Sequence, residues 1–190
     1  MKLETQGSLE ESLINEARSG KASSIEKLYK HFYGYAMSVA LRYTNSRDEA
    51  CEVVNDSYMK AFNKLDQYSN GSSFKGWFRR IIINTSIDNY RKNQKHYSML
   101  EIDNASSESY DCDAVDSLTQ GEILMMLQEL PDILRIVFNM YEIEGFSHQE
   151  IADKLGFPAS SSRTYLARAK QKLRDKFKAL NEIRDEGAIR

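Results

Sequence analysis

The sequence predicts an all-α protein made of two small helical domains joined by a flexible acidic linker. Apolar residues recur at intervals of three and four over long stretches, which is the spacing of amphipathic helices. The 190 residues include only two prolines and nine glycines, so helix breakers are few. Between residues 96 and 119 this periodicity stops, and serine and acidic residues dominate.

The first domain is predicted over residues 23–95. Apolar positions over 25–40 and 50–65 indicate two amphipathic helices. Asn45 or Ser46 would cap the second of these helices, because both side chains can accept a hydrogen bond from a free backbone N–H. The first domain therefore begins with a helical pair.

A loop and a third helical segment complete this domain. Serine, asparagine and glycine indicate a loop over 66–73. Residues 74–95 have one apolar face and otherwise basic positions, which predicts a third helix or a helix pair. Residues 1–22 are an N-terminal extension to which the sequence assigns no function.

Residues 96–119 form the predicted linker. They hold six acidic residues and no basic residue. Fully extended, a linker of this length spans roughly 80 Å. The two domains are therefore expected to act at separate places.

The second domain is predicted over 120–180, followed by a C-terminal tail over 181–190. A short helix precedes Pro131, which suits the first position of the next helix because that position needs no N–H donor. This second helix is expected to end before Gly145. The last helix is predicted to begin near residue 158 or 159 and to end near residue 180.

Residues 147–173 have the pattern of a helix-turn-helix. Ser147 and Glu150 form a predicted capping box, and Gly156 lies at the expected turn. Ala152 is small where the two helices would cross. Hydroxyl and cationic side chains are predicted to point outward from the second helix, and these groups suit contacts with base edges and phosphates. They are Ser160, Ser161, Arg163, Thr164, Arg168 and Lys172.

One serine of this helix does not fit the outward set. Ser162 falls on the buried side, four residues before Leu166, where an apolar residue is expected. A buried hydroxyl needs a hydrogen-bond partner, and a backbone carbonyl one turn back is the predicted one.

Charge is segregated along the second domain. Residues 121–153 hold seven acids and one base, whereas 163–178 hold seven bases and one acid. The basic run favours DNA binding by the second helix over an ordinary helical hairpin with a basic surface. The acidic run indicates either a partner-binding face or a solvated one.

A second basic surface is predicted on residues 74–95, where six cations face one acid, Asp88. Aromatic rings among the cations can stack on unpaired bases. Trp77 fits a core position better than a stacking role, because Phe74 and Phe78 neighbour it at helical spacing. The cations are Lys75, Arg79, Arg80, Arg91, Lys92 and Lys95.

Four motifs in this order resemble the extracytoplasmic-function group of bacterial sigma factors, which direct RNA polymerase to promoters. The segment ACEVVNDSYMKAF, 50–62, is similar to the family's polymerase-clamp-binding helix. Residues 73–92, with a Trp, an Arg-Ile pair, an Asn and an Asp-x-x-Arg spacing, resemble its promoter-melting segment. Residues 130–157 and 160–173 resemble the domain that reads the upstream minus-35 element.

The resemblance implies a role for each motif. Asn84, with the loop 68–73, would capture a flipped base of the minus-10 element, and the cations nearby would offset the lost stacking. The linker would thread the polymerase's RNA path, where its acids would mimic phosphates. The implied minus-10 residues are Asn84, Trp77, Arg79, Arg80, Asp88, Arg91, Lys92, Lys95, Asn70 and Ser72. The implied polymerase contacts are Glu52, Asn55, Asp56 and Met59.

The upstream element would be read by the basic helix of the second domain. Two positions depart from the family's pattern, namely Ser162 and Tyr165, so the upstream DNA sequence cannot be carried over from other members. The implied minus-35 residues are Ser160, Ser161, Arg163, Thr164, Tyr165, Arg168 and Lys172.

The partners implied are core RNA polymerase, at its clamp and flap, promoter DNA, and an anti-sigma factor. No catalytic residue, metal site or cofactor is expected, and the two cysteines have no metal-ligand spacing to the histidines. Without a signal peptide or an apolar run, we expect a cytoplasmic protein with no membrane insertion. The alternatives are a stand-alone helix-turn-helix regulator and a helical scaffold that binds other proteins.

Overall fold

A computed structural model of the chain describes residues 2–69, 73–97 and 118–188. Within these ranges every regular element is helical, which confirms the predicted all-α class. The chain divides into two compact units, one formed by 1–41 and 47–90 and the other by 42–46 and 91–190. In the described part of the chain, no helix has both the length and the hydropathy needed to cross a membrane.

The first unit is built from four helices, and the predicted helical pair is present as α2 and α3. The third predicted segment, α4, is one continuous helix rather than a pair. A 3₁₀ turn, Leu65–Gln67, begins one residue before the predicted loop 66–73 and includes its first two residues. The helices are α1 (Lys2–Arg18), α2 (Ala22–Ala40), α3 (Arg47–Asn63) and α4 (Phe74–Tyr97).

Helix α1 occupies most of the N-terminal extension, residues 1–22, in which no helix is predicted from the sequence. It packs on α2 through Ile14 and Ala17, which are both buried. Polar contacts also join α1 to α2: the Glu16 carboxylate accepts a hydrogen bond of 2.6 Å from the Ser24 hydroxyl. The extension is therefore part of the first unit.

Aromatic rings fill the core of the first unit. The Phe78 side chain is fully buried and lies 4.7 Å from the Tyr58 ring, centroid to centroid. The Phe32 and Phe74 rings lie 4.9 Å apart. Burial of each such side chain contributes about 1.5–3 kcal/mol, so these contacts fix α4 against α2 and α3.

Within its described residues, the second unit contains four α-helices and one π-helical turn. Its apolar cluster joins α5, α6 and α8 through Leu127, Leu130, Leu134 and Ala169. The helices are α5 (Leu118–Gln128), α6 (Asp132–Phe138), α7 (His148–Leu155) and α8 (Ala159–Ala188).

The segment after Pro131 differs from the prediction of one regular helix. Pro131 has extended backbone angles and precedes α6 instead of beginning it. After Phe138 the chain continues in one wider π-helical turn, Asn139–Ile143, closed by a 3.0 Å hydrogen bond from the Glu144 N–H to the Asn139 carbonyl. Such turns shift the helix face and cannot be read from apolar spacing.

Both ends of α7 follow the sequence prediction. Ser147 and Glu150 form the reciprocal capping box at its start, and Gly156, with a φ of 77°, lies at the turn to α8. A residue with a Cβ would cost about 1–2 kcal/mol in this left-handed conformation. Helix α8 continues to Ala188, so most of the predicted tail over 181–190 is helical.

Candidate nucleic-acid interface

Helix α4 presents a polar stripe to solvent. Trp77, Arg80, Asn84, Asp88 and Arg91 follow one another at intervals of three or four, so they share one face of the helix. Trp77 is half-buried, and the other four side chains are exposed. The stripe therefore places one amide, at position 84, between two arginines and near an aromatic ring.

The acid of this stripe is paired with a cation of the neighbouring helix. Asp88 accepts a 3.2 Å hydrogen bond from Lys60 on α3, and both side chains remain largely exposed. Much of the Asp88 charge is therefore balanced locally. Arg80, Arg91 and Lys92 are exposed along the same helix, and Arg79 is half-buried.

Two residues of the predicted basic and aromatic track have structural contacts. The Trp77 ring packs 5.4 Å from Tyr68 and 5.5 Å from Phe74, in agreement with a partly structural role. The Lys75 ammonium lies over the Tyr35 ring of α2, 4.5 Å from its centroid, so Lys75 does not join the stripe. Asn70, Ser72 and the side chain of Lys95 lie outside the described residues.

The predicted polymerase-binding residues share one exposed face of α3. Glu52, Asn55, Asp56 and Met59 occupy positions i, i+3, i+4 and i+7, and all four are exposed. Met59 is 63% exposed and gives this otherwise polar face one apolar side chain. Asn55 accepts a 3.2 Å hydrogen bond from the Tyr29 hydroxyl, which limits the orientations of its amide.

Helices α7 and α8 form the helix-turn-helix of the second unit. Ile151 and Ala152 of α7 are buried, as are Leu166 and Ala169 of α8. These four belong to the inner face that apolar spacing predicts, and its other members, Leu155, Phe157 and Leu173, are half-buried. The first turn of α8 is thus held in a defined position relative to α7.

The hydroxyl of Ser162 has a partner that the sequence did not indicate. Ser162 is fully buried, and its Oγ lies 2.9 Å from Nδ1 of His148 at the start of α7. The Tyr141 ring stacks on the imidazole at 4.4 Å. Burial, with smaller contributions from Arg163 and Lys170, lowers the pKa of His148. The predicted backbone partner is therefore replaced by an imidazole, 14 residues away.

The outer face of α8 carries the predicted DNA-reading residues. Ser160, Arg163, Thr164, Arg168 and Lys172 are exposed, and Ser161 is half-buried. The Thr164 hydroxyl donates to the Ser160 carbonyl at 3.1 Å and keeps its lone pairs for an incoming donor. In the part of the chain that the structure describes, no carboxylate lies within 4 Å of the three cationic groups.

Other cations of α8 are paired with acids of the same unit. Lys170 lies 2.6 Å from Glu142, and Lys176 contacts Glu129. Acids of the run 121–153 therefore balance one side of α8. Arg163, Arg168 and Lys172 lie on the predicted DNA-reading face, whereas Arg174 and Lys178 line a groove beside α5.

Tyr165 is placed differently from the rest of the minus-35 set. Its ring is half-buried against the apolar cluster and meets the Phe157 ring edge-on at 5.3 Å. A contact with DNA through the face of this ring would compete with its packing. The Tyr165 ring therefore contributes to the packing of the helix-turn-helix, and its contact with the minus-35 element stays a prediction.

Comparison with known proteins assigns both units. Residues 28–96 match the family model "Sigma-70 region 2", and residues 120–173 match "Sigma-70, region 4". The chain is 25% identical to the ECF RNA polymerase sigma-E factor of Salmonella typhimurium, over 88% of this chain and 94% of the relative. Its identity to the same factor of Escherichia coli K12 is 24%, with equal coverage.

A solved structure shares the fold. It is the sigma factor RpoE in complex with the anti-sigma factor NepR from Bartonella quintana, with a TM-score of 0.55 and 22% identity. The match covers 80% of this chain and 96% of that one. Since one chain holds a region 2 and a region 4 in this order, the protein belongs to the sigma-70 family, in its extracytoplasmic-function group.

Proposed function

We propose that this sigma factor binds core RNA polymerase through the exposed α3 face and reads promoter DNA with α4 and with α8. The observation that carries the proposal is the presence, in one chain, of a cationic stripe around an exposed amide and of a separate helix-turn-helix. A stand-alone regulator needs only the second of these. We retain the domain limits 23–95 and 120–180, with the linker 96–119, as part of the proposal.

In this proposal Asn84 captures a flipped base of the minus-10 element. Its amide is exposed and can donate and accept hydrogen bonds, as recognition of a base edge requires. Arg80 and Arg91 lie on the same face and would hold the backbone phosphates on either side. Trp77, already packed on Tyr68, offers the free part of its ring to a neighbouring base.

The minus-35 element is assigned to the first turns of α8. Residues near the start of a recognition helix reach base edges in the major groove, and later residues meet the backbone. Ser160, Ser161 and Arg163 are therefore assigned to bases, and Arg168 and Lys172 to phosphates. The three cations are exposed, and within the described ranges no carboxylate lies within 4 Å of their charged groups, so their charge is available to DNA.

Polymerase binding is assigned to two surfaces. The acidic and apolar α3 face, which includes Met59, would dock on the clamp. In the second unit an apolar groove of about 420 Å³ lies between α5 and α8, and Ile123 and Phe177 on its walls are each 58% exposed. We assign this groove to the polymerase flap, because exposed apolar groups of this size are stabilised when a partner covers them.

The proposed place of action is the cytoplasm, and the proposed regulator is an anti-sigma factor. The chain acts in the cytoplasm, as a binding factor that leaves RNA synthesis to the polymerase. An anti-sigma factor is the inferred regulator, supported by the similar sigma factor that was solved with NepR. Covering the α3 face would block docking on the clamp, which is one of the two assigned polymerase contacts.

Transcription with purified core polymerase tests the function. A sigma factor confers initiation at defined start sites, whereas a regulator or a scaffold leaves the core enzyme unspecific. Asn84→Ala is expected to keep core binding and to impair open-complex formation. Asn89→Ala is the matched control, because this second asparagine of α4 turns toward Glu49 of α3, 2.8 Å away. Loss of core binding by Asn84→Ala with the fold preserved would contradict the assignment.

A further inference from the structure

Arg18, the last residue of α1, makes contacts that reach 50 positions along the chain. Its Nη2 donates to the Tyr68 carbonyl at 2.6 Å, and its Nε donates to the Leu65 carbonyl at 3.2 Å. Nε also lies 4.0 Å from the Asp66 carboxylate. One guanidinium thus holds both ends of the 3₁₀ turn that leads from α3 toward α4.

The packing of α1 on the core holds the Arg18 guanidinium in place. The end of α1 is anchored on the core by two buried side chains. Ile14 lies one helical turn before Arg18, and Ala17 lies one residue before it. The Arg18 side chain is only 26% exposed, so its donors meet carbonyls in a partly dehydrated place. Charge-assisted hydrogen bonds of this kind are about twice as strong as neutral ones.

The turn transmits this constraint to α4. Tyr68 is 5% exposed, and its ring lies edge-on to Phe74 and tilted against Trp77, each at 5.4 Å. Trp77 begins the exposed stripe that continues through Arg80 to Asn84. The backbone held by Arg18 is therefore the backbone that positions the aromatic end of the stripe.

We infer that Arg18 is a positioning residue for minus-10 recognition, acting through the Tyr68 backbone and the Tyr68–Trp77 ring contact. The inference rests on the proposed function, because it assumes that the α4 stripe reads single-stranded DNA. It assigns a purpose to the N-terminal extension: α1 braces the turn in front of the reading helix. Arg18 itself does not touch DNA in this assignment.

The test uses the full chain assembled with core polymerase. The probe is a labelled single-stranded oligonucleotide, selected from a randomised pool by the wild-type holoenzyme. Arg18→Met removes the donors and keeps the aliphatic stem. We expect about tenfold weaker binding, equivalent to ~1.4 kcal/mol, and a smaller preference for the selected base. Core binding is expected to stay within about twofold, because the side-chain contacts of Arg18 go to Asn15, Leu65, Asp66 and Tyr68 and not to the assigned polymerase contacts on α3.

Two further measurements separate positioning from other roles. If Arg18 contacts a phosphate, Arg18→Met reduces the salt slope of oligonucleotide binding by about one unit and leaves the base preference unchanged. If Arg18 is a positioning residue, the variant leaves the salt slope unchanged and reduces the base preference. Arg18→Lys keeps the charge but can serve fewer carbonyls, so intermediate binding is expected even if Arg18→Met is too unstable to measure. Glu16→Gln is the control, because it perturbs contacts of α1 with α2 but not the turn.

The outcomes of the two proposals are distinct. If Asn84→Ala weakens oligonucleotide binding and both Arg18 variants bind as the wild type does, the positioning role alone is overturned. If Arg18→Met acts and Asn84→Ala does not, the base-capture assignment fails and the positioning role stands. A parallel loss of core and oligonucleotide binding in both Arg18 variants would reduce Arg18 to a fold-stabilising residue and overturn the inference.

Discussion

The hydrogen bond between Ser162 and His148 predicts a measurable coupling between the two helices of the helix-turn-helix. Ser162→Ala removes the buried hydroxyl without adding volume. A neutral hydrogen bond contributes about 0.5–1.5 kcal/mol, and water can reach the half-buried imidazole, so we expect a loss of about 1 kcal/mol. The distance of 2.9 Å is that of a well-formed bond.

Hydrogen exchange measured by mass spectrometry on peptides from α7 and α8 is the suitable assay. The single tryptophan, Trp77, lies in the first unit and would report on the wrong part of the chain. A loss of 1 kcal/mol corresponds to about fivefold faster exchange of the protected amides. Ser161→Ala is the matched control, because its half-buried hydroxyl is assigned to DNA; its stability should change by less than ~0.5 kcal/mol.

A double-mutant cycle with His148→Ala decides whether the two side chains act together. His148→Ala also removes the contact with Tyr141, and the cycle cancels that part. We expect a coupling of about 0.5–1.5 kcal/mol between the positions. Strictly additive effects would refute the reasoning, as would an unchanged exchange rate in Ser162→Ala.

Three other predictions concern DNA, pH and polymerase. Arg163→Ala should weaken binding to the upstream element by about 1–3 kcal/mol and relax its sequence preference if the side chain reads a base; in a filter-binding titration, unchanged preference with a shallower salt dependence would show a phosphate contact instead. Burial lowers the pKa of His148 in the folded state, so near its usual pKa the unfolded state binds a proton on this imidazole more readily than the folded state does. The stability of the second unit should therefore fall as pH drops below about 6.5. Exchange measured between pH 7.5 and 5.5 (corrected for intrinsic rates) checks this, and His148→Gln should flatten the dependence. Phe177→Asp should weaken assembly with core polymerase in a size-exclusion or fluorescence assay and spare binding to isolated upstream DNA; equal loss of both would show that the groove supports the fold of the unit.

Local pattern was sufficient for the features that depend on neighbours in sequence. The capping box at Ser147, the turn at Gly156 and the burial of Ile151, Ala152, Leu166 and Ala169 are confirmed, because capping and helical periodicity act over three or four residues. The exposed set on α3 and the outer face of α8 also follow from periodicity. Family membership follows from the order of these motifs.

Contacts across helices were not visible in the pattern. Lys60 and Asp88 pair over 28 positions, and Lys75 turns away from the stripe to the Tyr35 ring. Tyr165 has the periodicity of a residue at the edge of the helix face, and only packing on Phe157 places its ring inward. The π-helical turn after α6 has no spacing signature, because it changes the hydrogen-bond register without changing the type of residue.

Amphipathic periodicity and capping are local properties, so the all-α class was predictable from the sequence. The family was predictable from the resemblance of four ordered motifs, and two DNA-reading surfaces were predicted from the same motifs. The contacts that support those surfaces depend on the tertiary fold. Ser162 meets His148 across a turn, and Arg18 holds the carbonyls of a turn that lies about 50 residues away. Both contacts arise because buried or partly buried polar groups must find partners, and the fold, not the distance along the chain, determines which partners are within reach.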